Sequence, residues 1–261
     1  MKILFIGDIV GRVGRDIVKK KINDFVEKYG IDFVIANAEN ATHGKGLIRR
    51  HYDELIEAGV DCITLGNHYD CKNELSRFID EVDNLVRPAN LVREYPGSGN
   101  AVFLVGNTLV RVINILGSAF IKEEVSSPYI CVKEILESEE IKINIVDFHG
   151  ESTSEKYCHG YAFDGQISAL LGTHTHVQTR DARVLPKGTA YISDVGMCGE
   201  RESVIGFEKD SVVQKVIFGS ENKFALSEKA NGLFSAVVLN IDETTGLCRE
   251  IFPIYYQEDE K

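Results

Sequence analysis

Residues 2–40 read KILFIGDIVGRVGRDIVKKKINDFVEKYGIDFVIANAEN, and their hydrophobic pattern indicates the fold class. A first strand is predicted at Lys2–Ile6, because the four residues after Lys2 form an apolar run. A helix is predicted over about residues 12–29, because apolar side chains recur at helical spacing and Gly30 stands where a C-terminal cap belongs. A second strand is predicted at Asp32–Asn37. The order strand, helix, strand indicates a parallel pair in an α/β fold.

The rest of the chain continues this alternation and then becomes mixed. Helices are predicted around residues 48–56 and 75–79, on either side of a strand at Cys62–Leu65. Further strands are predicted at Ala101–Val105, Thr108–Leu116, Ile141–Asp147, Ala169–Gly172 and Thr189–Ser193, with a last hairpin over about residues 233–256. Because the sequence has no repeat, low-complexity tract or linker, we expect a single domain over residues 1–261. The pattern predicts a layered α/β fold with a mixed central sheet or β-sandwich and helices outside.

Composition and charge exclude several classes of protein. The chain has 261 residues, 44% of them hydrophobic, and 29 Lys and Arg against 40 Asp and Glu give a net charge of −11. This composition is typical of a globular protein, and its acidic balance argues against a long nucleic acid as partner. No apolar run reaches the roughly 18 residues that a membrane-spanning helix needs. The apolar run that follows Lys2 is also shorter than the about 7–15 apolar residues of a secretion signal. We therefore expect a cytoplasmic protein with no membrane association.

Several other chemistries lack a complete motif. The six cysteines are scattered without close pairs, which predicts reduced thiols and argues against a Cys-based zinc site. His43-Gly44-Lys45-Gly46 lacks the residues of a phosphate-binding loop, and neither a dinucleotide fingerprint nor a nucleophile elbow is present. A serine hydrolase, a kinase and a dinucleotide oxidoreductase are therefore disfavoured.

Polar residues capable of binding metal follow five predicted strands. One Asp, one Glu, two Asn and four His stand at or just after the strand ends, namely Asp8, Glu39, Asn40, Asn67, His68, His149, His174 and His176. The carboxyl ends of the strands of an open α/β sheet form a common ligand-binding edge. Oxygen and imidazole donors together are typical of metal sites. Eight candidates exceed the needs of one ion, and two ions about 3.5–4 Å apart with a bridging carboxylate would use them.

Each of these residues also has a plainer interpretation when taken alone. Asp8 could cap a helix, Asn67 could be a turn residue, and His149 could be a hydrogen-bonded core histidine. His174 and His176 are harder to explain in this way, because residues two apart on an extended segment point to the same side. The remaining histidines lack such placement and are interpreted as surface or structural residues, namely His43, His51 and His159.

Ordered motifs along the chain resemble the calcineurin-like metallophosphoesterases. These are Gly7-Asp8, Glu39-Asn40, Gly66-Asn67-His68, His149 and Gly172-Thr173-His174-Thr175-His176. Longer stretches are similar to the YmdB-like branch of that superfamily, including residues 5–11, 38–46, 87–90, 147–149, 172–179 and 185–192. The resemblance implies a layered α/β/β/α metallophosphoesterase-like fold, with a central mixed β-sandwich flanked by helices. It also implies a cytoplasmic phosphodiesterase that acts on 2′,3′-cyclic nucleotides such as 2′,3′-cAMP and forms a homo-oligomer.

The same resemblance implies roles for the site residues. One divalent ion would be bound by Asp8, Glu39, Asn40 and His176. The other would be bound by Glu39, Asn67, His149 and His174, so that Glu39 bridges the two. Fe or Mn is expected at these positions, with Zn or Mg as alternatives. A hydroxide between the ions would attack phosphorus, and His68 would act as general acid on the leaving alkoxide.

The sequence departs from the superfamily at two points, and two other functions remain open. Ile9-Val10 follows Asp8 where the superfamily has an imidazole, which Asn40 would replace. Tyr69-Asp70-Cys71 follows Asn67-His68, whereas the branch usually places an aromatic residue and then an acid one position later. This difference leaves the substrate contacts of the loop open. The other functions are a non-catalytic regulatory protein that senses a phosphorylated ligand through its metal centre, and a dinuclear hydrolase of amides or esters.

Overall fold

The computed structural model describes residues 1–221, 223–229 and 231–258. Its strands are β1 (Lys2–Ile6), β2 (Asp8–Ile9), β3 (Phe33–Asn37), β4 (Cys62–Thr64), β5 (Leu85–Val86), β6 (Asn100–Val105), β7 (Thr108–Leu116), β8 (Ile143–His149), β9 (Ala169–Thr173), β10 (Arg183–Val184), β11 (Ala190–Ile192), β12 (Met197–Glu200), β13 (Gly232–Ile241) and β14 (Cys248–Gln257). Its helices are α1 (Gly11–Tyr29), α2 (Arg49–Glu57), α3 (Leu75–Phe78), α4 (Pro128–Ser138), α5 (Thr153–Ala162) and α6 (Lys209–Val216).

The strands form two sheets of mixed direction. The first sheet has the order β2-β12-β13-β1-β3-β4-β5, and β14 pairs with β13. Within it β1, β3, β4 and β5 are parallel, as the alternation of strands and helices predicts. The second sheet has the order β10-β11-β9-β8-β7-β6, in which β7, β8, β9 and β11 are parallel and β6 and β10 are antiparallel edges.

Three apolar layers separate the sheets from each other and from the helices. Along β1 the side chains alternate: Ile3 and Phe5 belong to the core between the two sheets, whereas Leu4 and Ile6 pack beneath α1 and α2. A third core, which includes Phe148, lies between the second sheet and helices α4 and α5. This alternation has the period of two that a strand buried on both faces requires. The predicted α/β/β/α layering with a central β-sandwich is confirmed.

Differences from the sequence-based elements lie mainly at strand ends and in the second half. The strand predicted at 141–147 is β8, which extends to His149, so this histidine ends the strand rather than following it. The two-residue strand β2 was not predicted; Asp8 pairs in parallel with Met197 of β12. Helix α1 begins at Gly11 and ends as predicted, with Gly30 in the left-handed conformation at φ 64°.

Candidate metal centre

The structure brings together the eight polar residues that the sequence predicts for the site. Asp8 lies in β2, Glu39 and Asn40 follow β3, and the other five stand at the ends of β4, β8 and β9, namely Asn67, His68, His149, His174 and His176. Asp8, Glu39 and His149 are at most 1% exposed, so their polar atoms face the interior of the site. Five chain segments therefore deliver these side chains to one edge of the sandwich.

One group of ligand atoms meets at Nε2 of His149. This nitrogen lies 3.2 Å from Glu39 Oε1, 3.0 Å from Asn67 Oδ1 and 3.1 Å from His174 Nδ1. Ligand atoms of Glu39, His149 and His174 all lie within 4.8 Å of one another. A carboxylate, an amide oxygen and two imidazoles form a donor set suited to a divalent transition metal.

The hydrogen bonds behind His149 leave its Nε2 free of a proton when the ring is neutral. Its Nδ1 lies 2.9 Å from the Thr173 hydroxyl, and that hydroxyl donates to Asp147 Oδ1 at 2.7 Å. Because the single hydroxyl proton is used in this way, the hydroxyl accepts from Nδ1–H. The lone pair of Nε2 then faces the lone pairs of the other three ligand atoms. Such an arrangement is stabilised by a cation among them.

The second group consists of Asp8, Asn40 and His176. Oδ1 of Asp8 lies 3.9 Å from His176 Nε2, and within the described part of the chain this buried oxygen accepts no hydrogen bond. Oδ1 of Asn40 lies 3.4 Å from the same His176 nitrogen, while the Asn40 amide nitrogen donates to the Gly44 carbonyl at 2.9 Å. A buried carboxylate oxygen without a partner is costly. The unpartnered oxygen of Asp8 therefore fits a metal ligand.

Burial and neighbouring charges shift the pKa values of the site in opposite directions. Burial raises the pKa of Asp8 to about 6, although His176 and His149 partly oppose it. Burial also acts to raise the pKa of Glu39, but the adjacent His149 outweighs it and the pKa falls to about 2. Burial acts to lower the pKa of His149, but Glu39 and Asp8 outweigh it and raise the pKa to about 9. The carboxylates of Glu39 and Asp8 thus favour the protonated form of the His149 ring between them.

His68 lies beside these two groups of ligand atoms. Its backbone N–H donates to Glu39 Oε2 at 2.8 Å, and its Nδ1 lies 3.5 Å from both Asn67 Nδ2 and Cys71 Sγ. The half-buried ring has its pKa lowered, mainly by burial. In the same loop Asp70 forms an ion pair with Arg93 at 3.2 Å. The imidazole thus lies next to the Asn67 side chain and belongs to neither group of converging ligand atoms.

Gly66 allows the loop after β4 to approach the centre closely. A Cβ atom at this position would stand 2.5 Å from Cδ2 and Cε1 of His149 and would also collide with Glu39. Real Cβ atoms do not come this close to their neighbours. Only glycine therefore fits between Asn67 and these two side chains.

Sequence reasoning missed the residues that support the ligand atoms. Asp147 accepts hydrogen bonds from Thr64, Asn37 and Thr173, and its carboxyl group is fully buried. The available signal was a carboxylate inside an apolar strand, two residues before His149. Lys156 and Asp194 form a buried ion pair at 3.2 Å. Lys156 also donates to the Thr173 carbonyl, and Asp194 accepts from the Thr175 N–H, so the pair fixes the loop that carries His174.

The three histidines interpreted as surface or structural residues lie outside the two ligand groups. His51 is buried and its Nδ1 lies 2.8 Å from the Thr42 hydroxyl. His159 donates to the Glu155 carbonyl within α5, and its ring packs on Phe148. His43 is exposed.

The fold is that of a metallophosphoesterase-like protein, and comparison with known proteins narrows the class. The sequence model of the YmdB-like protein family matches residues 4–254, so the chain belongs to this family. A Bacillus subtilis protein named 2′,3′-cyclic-nucleotide 2′-phosphodiesterase is 42% identical over 261 residues, which is 99% of this chain and 98% of the relative. The predicted family is confirmed, and so is the prediction that the chain is an enzyme.

Two crystal structures have the same fold. That of a phosphatase from Mycoplasma pneumoniae has a TM-score of 0.94 and 38% identity, and the match covers 100% of this chain and 94% of that one. That of a Thermus thermophilus protein described as hypothetical has a TM-score of 0.92 and 37% identity, and covers 99% of this chain and 100% of that one. Separately, none of the helices in the described ranges is long and apolar enough to cross a membrane.

Proposed function

We propose that this protein is a dinuclear metal-dependent phosphodiesterase that hydrolyses 2′,3′-cyclic nucleotides such as 2′,3′-cAMP. The observation that carries the proposal is the convergence of three potential ligand atoms around His149 Nε2, together with the unpartnered, buried Asp8 Oδ1. The name of the Bacillus subtilis relative supplies the substrate class and the 2′ bond as the bond that breaks.

The two ligand groups agree with the ion assignment implied by the sequence. Asp8, Asn40 and His176 would bind the first ion, and Asn67, His149 and His174 the second, with Glu39 bridging. Fe or Mn suits these nitrogen and oxygen donors, and Zn or Mg is an alternative. When bound, two divalent cations supply an acidified water for attack and positive charge for the phosphoryl oxygens. Their positive charge would offset the carboxylates of the centre in a chain whose net charge is −11.

Two residues of the chain, Glu39 and His68, would position and supply the proton that the leaving group needs. The Glu39 carboxylate accepts a hydrogen bond from the His68 backbone N–H. This hydrogen bond would hold the His68 backbone so that the imidazole lies next to the centre. The leaving group of a cyclic phosphodiester is an alkoxide, which needs a proton as the P–O bond breaks. His68 donates that proton to the 2′ oxygen, the role of a positioned general acid.

The test is hydrolysis of 2′,3′-cAMP with added Mn²⁺, with the products separated by chromatography. We expect 3′-AMP, and we expect Glu39→Gln to lose activity at least about hundredfold, because metal catalysis supplies several kcal/mol and about 1.36 kcal/mol corresponds to a factor of ten. Glu27→Gln, an exposed carboxylate on α1, is the matched control and should retain activity.

Each other outcome has a definite meaning. Binding of the nucleotide without turnover, under several metals, would replace the proposal with the phospholigand-sensing regulatory protein. Turnover of amides or carboxylic esters but not of phosphodiesters would replace it with the other hydrolase. Formation of 2′-AMP would retain the enzyme and move the cleaved bond to the 3′ oxygen.

We further propose that the protein acts in the cytoplasm as a homo-oligomer, without membrane or long nucleic-acid partners. The acidic composition and the family resemblance support this proposal. Light scattering of the purified protein should give a mass of two or more times the 29.1 kDa of one chain.

A further inference from the structure

The segment between β12 and β13 forms an arm beside the first metal position. We define the arm as residues 201–229, of which all but residue 222 are described. Its helix α6 buries none of its residues. At the base of the arm, Phe207 forms bridges with Val204 and Leu226, and the Ser227 N–H donates to the Gly206 carbonyl at 3.1 Å. The two ends of the arm are therefore tied together next to the site.

The first contact of the arm with the site orients His176. The carbonyl of Ile205 accepts a hydrogen bond from His176 Nδ1 at 2.9 Å. A carbonyl cannot donate, so Nδ1 carries the proton and the Nε2 lone pair of the neutral ring faces Asp8 and Asn40. Ile205 has φ 48°, a conformation that is an outlier for a β-branched residue. This carbonyl is thus held in its orientation by the surrounding structure.

The second contact orients Asn40 through two glycines. Leu226 fills the space next to Gly11 and Gly44, where added Cβ atoms would stand 3.2 Å and 2.9 Å from its methyl carbons. The Gly11 N–H donates to the Asn40 carbonyl at 3.0 Å, and the Gly44 carbonyl accepts from the Asn40 amide nitrogen at 2.9 Å. Leu226 therefore packs directly behind the backbone that fixes both ends of Asn40.

The second metal position has a different support. His149 is oriented by Thr173 of β9 and Asp147 of β8, both inside the second sheet. The arm and the sheet thus serve different groups of ligand atoms. A change in the arm should act on the first group and leave the second in place.

We propose that the arm positions His176 and Asn40 for the first metal ion, with Ile205 and Leu226 as positioning residues, and so sets the affinity for that ion separately from the second. This inference rests on the dinuclear centre proposed above. It assigns a function to a segment whose described residues contribute no atom to either ligand group.

The experiment measures Mn²⁺ binding to the full chain by calorimetric titration, together with the electron paramagnetic resonance signal of a spin-coupled Mn²⁺ pair. Leu226→Ala should weaken one of the two ions by about 10–100-fold, the usual effect of removing support behind a ligand, and leave the other within about twofold. The coupled signal should give way to that of an isolated ion. Ile217→Ala, an apolar truncation at an exposed position of the same arm, is the matched control and should bind as the wild type does.

Two variants of Ile205 separate the carbonyl from the side chain. Ile205→Gly accepts positive φ and should retain the first ion, whereas Ile205→Pro cannot adopt φ 48° and should lose it. In an Asn67→Ala background, which removes a ligand atom of the second ion, Leu226→Ala should abolish the remaining tight site. That result identifies the ion that the arm controls.

The outcomes separate this inference from the proposed function. Unchanged binding of two ions by Leu226→Ala and Ile205→Pro would overturn the inference and leave the phosphodiesterase intact. Equal weakening of both ions, or a melting temperature too low for the chain to be folded in the assay, would show general destabilisation and also overturn it. Failure of the wild type to bind two ions would overturn both proposals together.

Discussion

Ligand atoms at the centre face inward because the remaining polar atoms of the same side chains are engaged behind them. The Nδ1 atoms of His149 and His176 are bound to Thr173 and to the Ile205 carbonyl. The amide nitrogen of Asn40 is likewise engaged, which leaves its oxygen toward His176. Fixing one end of a side chain removes rotamers that a free ligand would lose on binding metal. The centre is therefore preorganised at the scale of single residues.

His68→Ala should separate chemistry from metal binding. We expect both ions to be retained, because His68 lies beside the ligand groups, and the rate on 2′,3′-cAMP to fall by about 10²–10⁴-fold, as for loss of a general acid. The loss should be smaller for bis-p-nitrophenyl phosphate, whose leaving group needs little protonation. Comparable losses on both substrates would assign His68 to substrate binding, and loss of metal would make it a ligand.

Thr173→Val should weaken the second ion selectively. The substitution keeps the shape of the side chain but removes the hydroxyl between His149 and Asp147, so the His149 tautomer is no longer fixed. We expect the affinity for that ion to fall by about 10–100-fold, measured by metal titration. Thr153→Val on the surface of α5 is the control. Wild-type affinity in Thr173→Val would show that this hydrogen-bonded chain does not tune the centre.

At the scale of elements, the parallel part of the first sheet follows directly from sequence periodicity. The sequence predicts the β1–α1–β3 order and the two late hairpin strands, because apolar periods of 3.6 and 2 are local properties. Strand β2 could not be predicted in this way, since two residues carry no period and the strand exists only because Met197 pairs with Asp8.

The candidate site shows the same division between local and distant information. Its candidate ligand side chains can be proposed from the sequence because they stand at strand ends. The residues that orient these side chains cannot be identified in the same way. The Ile205 carbonyl is a backbone atom, which every residue type has. Thr173 acts through Asp147, which the sequence places inside an apolar strand. Contacts between segments that are distant in the chain decide these roles, and local sequence patterns do not predict such contacts.

The loop after β4 should tolerate no side chain at Gly66. In Gly66→Ala the new methyl group would overlap Glu39 and the His149 ring, both of which are confined by buried hydrogen bonds. We expect loss of metal binding or a destabilisation of about 1–3 kcal/mol, the range for overpacking a filled core, seen in denaturant titrations. Gly199→Ala is the control, because its added Cβ would lie 3.4 Å from that of Val10, an ordinary contact distance. A Gly66→Ala protein with wild-type metal binding and stability would contradict the close approach.

At the scale of the whole molecule, the site joins the two halves of the chain. Strand β1 pairs with β13 near the C-terminus and with β3 near the N-terminus, and the core between the sheets takes residues from both. Asp8 and His176 come from segments 168 residues apart. Metal binding at these ligands should therefore be linked to unfolding of the entire chain, which we still predict to be one domain.

Removal of metal should lower the melting temperature in a single cooperative transition. A ligand present at about 100 times its Kd stabilises the folded state by about 2.7 kcal/mol per site, and about 1 kcal/mol shifts the melting temperature of a chain of this size by about 2–4 °C. Scanning calorimetry with excess Mn²⁺ and with a chelator should thus differ by at least about 5 °C. Glu39→Gln should show a smaller difference, because the carboxylate proposed to bridge the two ions is replaced by a neutral amide. Two separate transitions would contradict the single domain, and equal melting temperatures with and without metal would contradict a centre built around cations.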